Sequence, residues 1–164
     1  MLKYVETAVT FSEIPDEITL CINISNCPCH CKGCHSSYLA EDIGIPLVWW
    51  VEYSNEEHSV DTCIENILDK NKGITCICLM GGDSDPKLIN ALASEIRTLA
   101  NIKIAWYSGR QELSKDIDLK NFDYIKLGPY IEEYGPLNSK TTNQRLYKVE
   151  DETLKDITHK FWKE

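Results

Sequence analysis

Four cysteines and two histidines lie within eleven consecutive positions, residues 27–37, in the stretch CPCHCKGCHSS. Cys27, Cys31 and Cys34 have the spacing C-x3-C-x2-C, and Cys29 lies inside the first gap. Thiolates and imidazoles are ligands for zinc and iron–sulfur clusters, and paired thiols form disulfides. The loop therefore predicts a zinc site, an iron–sulfur cluster or a set of disulfides.

The bulk properties of the chain argue against disulfides. Eight cysteines in 164 residues, with 43% apolar and 26% charged residues, are typical of one ordinary soluble domain. The first residues, MLKYVETAVTFSEIPDE, lack the apolar segment of an export signal, and the longest apolar run, residues 47–51, is too short to cross a bilayer. We therefore expect a cytoplasmic protein with no membrane partner, where clustered cysteines are typically ligands or redox groups.

The net charge bears on the partners of the protein. With 17 basic and 26 acidic side chains, the chain carries a net charge of −9. Nucleic-acid-binding proteins concentrate Lys and Arg, because these residues neutralise phosphates. We therefore expect no nucleic-acid partner, although a local nucleotide pocket remains compatible with this charge.

Zinc and an iron–sulfur cluster make different demands on the cysteine loop. A structural zinc site takes four ligands, usually as two pairs far apart in sequence. His30 or His35 could complete such a set, but no second C-x2-C or H-x3-H pair follows. Cys76 and Cys78 lie in an apolar run and are interpreted as small buried side chains. A four-iron cluster usually takes four thiolates, so three would leave one iron open to a substrate or cofactor.

The surrounding sequence indicates alternating strands and helices. Apolar or β-branched runs predict strands at residues 18–24, 74–80, 102–107 and 124–127. Capped or amphipathic segments predict helices at residues 36–42, 60–71 and 152–162, and from Pro86 onward with Asp85 as N-cap; residues 44–53 are interpreted as a loop or short strand. This alternation predicts an α/β fold with a mostly parallel sheet.

The predicted strands end in unusual loops: the cysteine loop, Gly81-Gly82-Asp83, Ser108-Gly109 and Gly128-Pro129. Ligands of parallel α/β sheets collect at the carboxyl ends of the strands. Glycines also allow the backbone to approach a ligand closely. These loops are therefore predicted to converge on one site.

Taken together, these motifs resemble those of radical S-adenosylmethionine (SAM) enzymes. More narrowly, they resemble the activating proteins of anaerobic ribonucleotide reductases. In chain order, the resemblance is carried by CPCHCKGCHSSYL, LMGGD, WYSGR, LGPYIEE and TTNQRLYKV, within residues 18–149. It implies one radical SAM domain over residues 1–164, folded as an incomplete (β/α) barrel with a mostly parallel sheet.

The resemblance implies a set of cofactor ligands. Cys27, Cys31 and Cys34 would hold three irons of a 4Fe–4S cluster, SAM would bind the fourth, and Cys29 has no ligand role. The implied SAM-binding residues are Gly81, Gly82, Asp83, Ser108, His35 and Lys126.

Several of these positions leave alternatives open. Asp83 stands where relatives carry a longer Glu, and the Asp that relatives have before Gly-Pro is absent here, where Lys126 lies nearby. Lys126 is either a partner of the SAM carboxylate or a solvent-facing residue, and His35 either contacts the adenine or is an exposed loop residue. Residues 143–145 (NQR) either shape a surface for a partner protein or form an ordinary polar loop.

The function implied by the resemblance is that of an oxidoreductase that activates a glycyl radical enzyme. A flavodoxin-like reductant would supply an electron, and cleavage of SAM would give a 5′-deoxyadenosyl radical. That radical would take a hydrogen atom from a glycine of the large subunit of anaerobic ribonucleotide reductase. Two alternatives remain: a small-molecule radical SAM enzyme such as a deazapurine synthase, and a non-catalytic zinc-binding module.

Overall fold

The structure, a computed structural model, describes residues 2–46 and 67–162. The strands of this part are β1 Lys3–Thr10, β2 Thr19–Ile24, β3 Ile45–Pro46, β4 Cys76–Met80, β5 Lys103–Tyr107, β6 Tyr124–Leu127, β7 Arg145–Glu150 and β8 Thr153–Asp156. They form one sheet in the order β3-β1-β2-β4-β5-β6-β7-β8. One α-helix, α1, spans Pro86–Leu99, and residues 67–70 are also helical.

The centre of the sheet is parallel. Strand β4 pairs with β2 and with β5, and β5 pairs with β6, all in parallel register. These four strands confirm the strands predicted at residues 18–24, 74–80, 102–107 and 124–127. Their carboxyl ends therefore lie along one edge of the sheet, as the loop motifs require.

The predicted incomplete (β/α) barrel with a mostly parallel sheet is wrong. Among the described strands, β1 pairs antiparallel with β2 and β3, and β7 pairs antiparallel with β6 and β8, so both ends of the sheet are antiparallel. Antiparallel neighbours need no crossover helix, whereas parallel neighbours do. The described residues accordingly contain little helix: the 14 residues of α1 and residues 67–70. A radical SAM barrel is much richer in helix.

The helix predicted over residues 152–162 is also wrong. This segment contains β8 and a short 3-10 turn, Thr158–Phe161. Asp151 and Glu152 form the tight connection between β7 and β8, with φ angles of 49° and 59°. Such hairpin turns usually carry Asn-Gly or Asp-Gly, because both central residues have positive φ. Asp-Glu lacks that signal, so the hairpin was not predicted.

The other predicted elements have mixed outcomes. The helix predicted at residues 36–42 is a short 3-10 turn, Ser37–Ala40, and β1 was not predicted. Residues 67–70 are helical as expected for the helix at 60–71, whose earlier residues lie outside the described part. Within 44–53, Ile45–Pro46 forms β3 and residues 47–53 are likewise outside it.

Helix α1 covers one face of the sheet. As predicted, Asp85 caps it: the side chain accepts a hydrogen bond from the Leu88 N–H at 3.2 Å, and Pro86 is its first residue. Its buried stripe is Ile89, Leu92, Ala93 and Ile96, which packs in one cluster with strand residues such as Ile77, Leu79, Ile104 and Trp106. This large-residue core fixes the positions of the parallel strands.

The opposite face of the sheet carries smaller or more polar side chains. Cys21, Cys76, Cys78, Ala105 and Tyr107 are buried there. The same cluster includes Leu146 of β7, and residues outside the strands, among them Ile14 and Ile157, cover this face. Small side chains under an incomplete cover leave space above the strands. Within the described residues, no helix has the length and apolar character needed to span a bilayer.

Candidate functional site

A cavity of about 760 Å³ lies beside the carboxyl ends of the four parallel strands. Its wall includes the last residues of three strands, Ile24 of β2, Met80 of β4 and Tyr107 of β5, and Lys126, one residue before the end of β6. The volume lies within the usual range for sites of small ligands and cofactors. The predicted convergence is therefore confirmed for the cysteine loop, the Gly81-Gly82-Asp83 loop and the Ser108-Gly109 loop, whereas Gly128 and Pro129 do not line the cavity.

The cysteine loop forms one side of this cavity. Its base is closed by two backbone hydrogen bonds of 2.9 Å, from Asn26 N to Glu41 O and from Cys27 N to Leu39 O. Cys34 N donates to Cys31 O at 3.2 Å, which makes a tight turn. These bonds hold the two ends of the loop together, one end after β2 and the other at the 3-10 turn Ser37–Ala40.

All four thiols of the loop face the same space. Cys27, Cys29, Cys31 and Cys34 line the cavity, are partly exposed and form no disulfide. In the described part of the chain, however, no three His, Cys, Asp or Glu side chains are gathered into a ready metal site. Assignment of Cys27, Cys31 and Cys34 as ligands therefore stays a prediction. The chemistry of this donor set, several thiols around one cavity, fits an iron–sulfur cluster.

Cys29 has surroundings that set it apart from the other three thiols. Its Sγ lies 3.7 Å from Asp83 Oδ2, and a Cβ on Gly109 would lie 2.7 Å from that Sγ. Burial, reinforced by the negative charge of Asp83 and by Cys27, raises the pKa of Cys29 to about 12. Cys29 is therefore a protonated thiol packed against the Asp83 carboxylate, between two strand-end loops.

The Asp83 carboxylate is buried, with 7% of the residue exposed, and is engaged by the neighbouring strand-end loop. Ser108 Oγ donates to Oδ1 at 2.5 Å, and Gly109 N donates to Oδ2 at 2.8 Å. Both oxygens therefore have protein donors. Asp83 and Ser108, two predicted site residues, are therefore in contact. Their hydrogen bond joins the loop after β4 to the loop after β5.

The two glycines before Asp83 are required for different reasons. Gly82 has φ of +90°, and a Cβ there would lie 2.4 Å from Ile89 Cδ1, so α1 packs directly against it. Gly81 has φ of +102°, and a Cβ there would lie 3.0 Å from Ile24 O. Of the two, Gly81 also lines the cavity. Gly82 is thus a packing residue, and Gly81 presents backbone to the site.

Lys126 is buried at the inner wall of the cavity, with 8% of the residue exposed. Its Nζ donates to Ser108 O at 3.2 Å and to Gly128 O at 3.1 Å, and lies 5.5 Å from the centre of the Tyr107 ring. Burial lowers the Lys126 pKa, and nearby Asp83 partly opposes that effect. The interpretation of Lys126 as a solvent-facing residue is wrong.

Glu13 is a cavity residue that the sequence analysis missed. It lies in the loop between β1 and β2, which covers the face opposite α1. The Tyr107 hydroxyl donates to the Glu13 backbone oxygen. Burial raises the pKa of the Glu13 carboxyl, while Lys126 and the Tyr107 hydroxyl act in the opposite direction. In the sequence it stands in SEIPDE, an ordinary acidic loop, and no motif distinguishes it.

His35 and the NQR segment reach the cavity unequally. The exposed His35 ring packs against Tyr130 at 6.1 Å between ring centres, and both residues line the cavity. Gln144 is buried and also lines it, whereas Asn143 Nδ2 donates to Pro129 O at 3.0 Å. The structure thus brings five of the six predicted SAM-binding residues to the cavity wall or its supports, with Gly82 turned toward α1.

Comparisons with known proteins give no functional assignment for this chain. The chain matches no protein-family model, and neither the curated proteins nor the solved structures contain a significant match.

Proposed function

We propose that this protein is an iron–sulfur and SAM-dependent activase that installs a glycyl radical on anaerobic ribonucleotide reductase. One observation carries the proposal: the thiols of the C-x3-C-x2-C loop share a single cavity with the Gly-Gly-Asp, Ser-Gly and Lys126 elements of the other strand ends. The fold differs from the barrel implied by the resemblance. Because function resides in sites rather than folds, the proposal relies on this arrangement.

The proposed roles follow from the positions of the side chains. Cys27, Cys31 and Cys34 would hold a 4Fe–4S cluster, because they are the thiols of the loop that are free of the Asp83 contact. Gly81 would present its backbone to SAM, and the Lys126 ammonium would bind its carboxylate. When bound, these cofactors supply one-electron cleavage of a carbon–sulfur bond, giving the 5′-deoxyadenosyl radical that abstracts hydrogen.

The remaining cavity wall suits a protein substrate. The mouth carries exposed or partly exposed apolar groups, including Phe11, which is 75% exposed, Tyr130 and Leu137. Such groups at a cavity mouth are typical of interaction surfaces. We propose that a glycine segment of the reductase large subunit enters there, that a flavodoxin-like protein donates the electron, and that the reaction takes place in the cytoplasm.

The cavity also bears on the zinc alternative. A non-catalytic zinc module closes its four ligands around the metal and needs no adjoining space. Here the cysteine loop opens onto about 760 Å³ that also contains a buried lysine. This observation favours a cofactor-dependent enzyme over a zinc-binding module.

The proposal is tested by electron-spin resonance. The anaerobically purified full chain, loaded with iron and sulfide, is mixed with SAM, a strong reductant and an anaerobic ribonucleotide reductase. We expect about four irons per chain and a glycyl radical doublet on the reductase. Cys34→Ser supplies the matched control and should give no doublet.

Two results would contradict the proposal. A colourless protein that binds one zinc and rejects iron would support the zinc module. A fully iron-loaded protein that cleaves SAM but gives no doublet on its cognate reductase would remove the glycyl radical part of the assignment.

A further inference from the structure

Lys126 places a buried positive charge in the wall of the cavity. Only 8% of the residue is exposed, and its Nζ donates to Ser108 O at 3.2 Å and to Gly128 O at 3.1 Å. Strand β6 holds the backbone of the residue, and the two carbonyl groups hold its far end. The charge therefore has a defined position in the site, whereas the ammonium of a surface lysine moves on a flexible stem.

The thiols of the cysteine loop lie within electrostatic reach of this charge. Cys29 and Cys31 line the same cavity as Lys126. Burial lowers the Lys126 pKa, whereas the negative charges of Asp83, Cys31 and Cys29 act in the opposite direction. A cluster held by thiolates is negatively charged, and its charge would also favour the ammonium form of Lys126.

The turn Ser108-Gly109 contacts both the ammonium and the cysteine loop. Ser108 O accepts the hydrogen bond from Lys126 Nζ, and a Cβ on the next residue, Gly109, would lie 2.7 Å from Cys29 Sγ. Lys126 is thus fixed beside the loop that supplies the proposed cluster ligands.

A fixed charge at this place acts on the reduction of a cluster. Reduction adds one negative charge, so a nearby cation stabilises the reduced form more than the oxidised form. The net charge and solvent exposure around an iron–sulfur cluster are among the factors that set its potential. A buried charge has the larger effect, because water and salt screen the charges of exposed lysines.

We propose that Lys126 raises the reduction potential of the cluster held by Cys27, Cys31 and Cys34. This inference rests on the function proposed above and gives Lys126 a second role, which it has before SAM binds. One electron passes from the flavodoxin-like reductant to the cluster, and Lys126 keeps its proton. The positive charge thereby makes a weak biological reductant more effective.

A potentiometric titration of the full, iron-loaded chain without SAM tests the inference, with the reduced cluster followed by electron-spin resonance. We expect Lys126→Met to lower the midpoint potential by about 59 mV or more, which is a tenfold change in the reduction equilibrium for one electron. Lys126→Gln is a second neutral variant, whose amide can still donate to the carbonyl groups, and should show the same direction of shift.

Two further variants serve as controls. Lys126→Arg keeps the positive charge and should stay within about twofold of the wild-type equilibrium. Lys160→Met removes an exposed positive side chain that also lines the cavity, and should leave the potential unchanged. Iron and sulfide per chain are measured for every variant, so that only equally loaded proteins are compared.

The outcomes separate this inference from the proposed function. Wild-type potentials in fully loaded Lys126→Met and Lys126→Gln would overturn the inference and leave the function standing. An equal fall in Lys126→Arg or Lys160→Met would also overturn it, because the effect would then come from packing or from overall charge. A wild-type chain that holds no cluster would overturn both. The expected shifts without a glycyl doublet on the reductase would remove the function alone.

Discussion

The two acids of the cavity, Asp83 and Glu13, have different tasks. The Asp83 carboxylate accepts hydrogen bonds from Ser108 Oγ and Gly109 N. These donors from the neighbouring loop stabilise its negative charge. Burial raises the pKa of the Glu13 carboxyl, while Lys126 and the Tyr107 hydroxyl act in the opposite direction. Hydrogen bonds to a carboxylate favour its charged form, whereas burial disfavours it. The two acids thus differ in their surroundings: Asp83 joins two strand-end loops, and Glu13 lies near Tyr107 and Lys126.

The first prediction concerns the choice among the four loop thiols. Cys29→Ser should keep most of the iron, since the Cys29 thiol contacts Asp83 and packs on Gly109 rather than belonging to the proposed ligand set. Cys27→Ser, Cys31→Ser and Cys34→Ser should each lose most of it. Iron and sulfide are measured per chain after identical anaerobic loading. Loss of iron in Cys29→Ser, with retention in one of the others, would show that the ligand set is wrong.

The second prediction concerns the pH dependence of stability at Glu13. Because the folded pKa is raised above its ordinary value of 4.5, folding favours the protonated form, and that contribution is lost as the pH rises through the folded pKa. Glu13→Gln should therefore melt at a higher temperature than wild type at pH 7.5. The difference should shrink as the pH falls below the ordinary value of 4.5, because the carboxyl then becomes protonated in both states.

Thermal melts of wild type, Glu13→Gln and Glu133→Gln across this pH range provide the measurement. The control is Glu133→Gln, at an exposed position that does not line the cavity. A lower melting temperature for Glu13→Gln at pH 7.5 would mean that the charge contributes to folding instead of opposing it.

Among the strands and helices, the contact between α1 and the β4 loop determines where the site lies. Gly82 touches Ile89 of the helix, while Gly81, one residue earlier, lines the cavity. The loop therefore passes from the cavity to the helical face within two residues. Any movement of α1 away from the sheet would displace Gly81 and Asp83 together.

The third prediction measures that contact with a matched pair of glycines. Gly82 and Gly73 both have φ of +90°, but a Cβ at Gly82 would lie 2.4 Å from Ile89 Cδ1, and one at Gly73 would meet nothing within 4 Å. Both alanine variants place a side chain at the same positive φ. Gly82→Ala should therefore destabilise the protein by about 1–3 kcal/mol more than Gly73→Ala, through overpacking alone. Urea unfolding compares the two, and equal losses would contradict the proposed packing role.

At the scale of the whole molecule, the two faces of the sheet differ: one forms the main apolar core, and the other lies beside the cavity. One face buries large apolar side chains under α1, and the other has cysteines, Ala105 and tyrosines beneath a cavity. The cavity is lined by residues from several strand-end loops, so a ligand there would bind the folded chain in preference to the unfolded one. Ligand binding and folding are therefore expected to be coupled.

The fourth prediction follows from this coupling. A cluster that binds the folded chain alone stabilises it by mass action, about 2.7 kcal/mol at a hundredfold excess over the dissociation constant. For a domain of this size, that corresponds to roughly 5–10 °C in melting temperature. Iron and sulfide loading should produce this rise, and removal of iron by a chelator should reverse it. The same rise with zinc and none with iron would contradict the cluster.

Local patterns in the sequence were sufficient for the parallel strands and for the start of α1. Apolar runs such as CICLM predict a strand because both faces of a central strand are buried, and Asp85 with Pro86 predicts a helix start from the needs of one helical turn. The cysteine loop was equally visible, because ligand type and spacing are properties of a short segment. None of these inferences needs distant residues.

The tertiary structure alone decided the edges of the sheet, the partners of Asp83 and the position of Glu13. The outer antiparallel strands β1 and β8 are largely exposed and have no continuous apolar run, so pairing with their neighbours decides their conformation. Glu13 lies 113 residues before Lys126 in the chain, and the loop between β1 and β2 brings it to the same cavity. Burial and pairing between distant segments are cooperative properties of the packed chain, which is why the antiparallel ends and the second acid were missed.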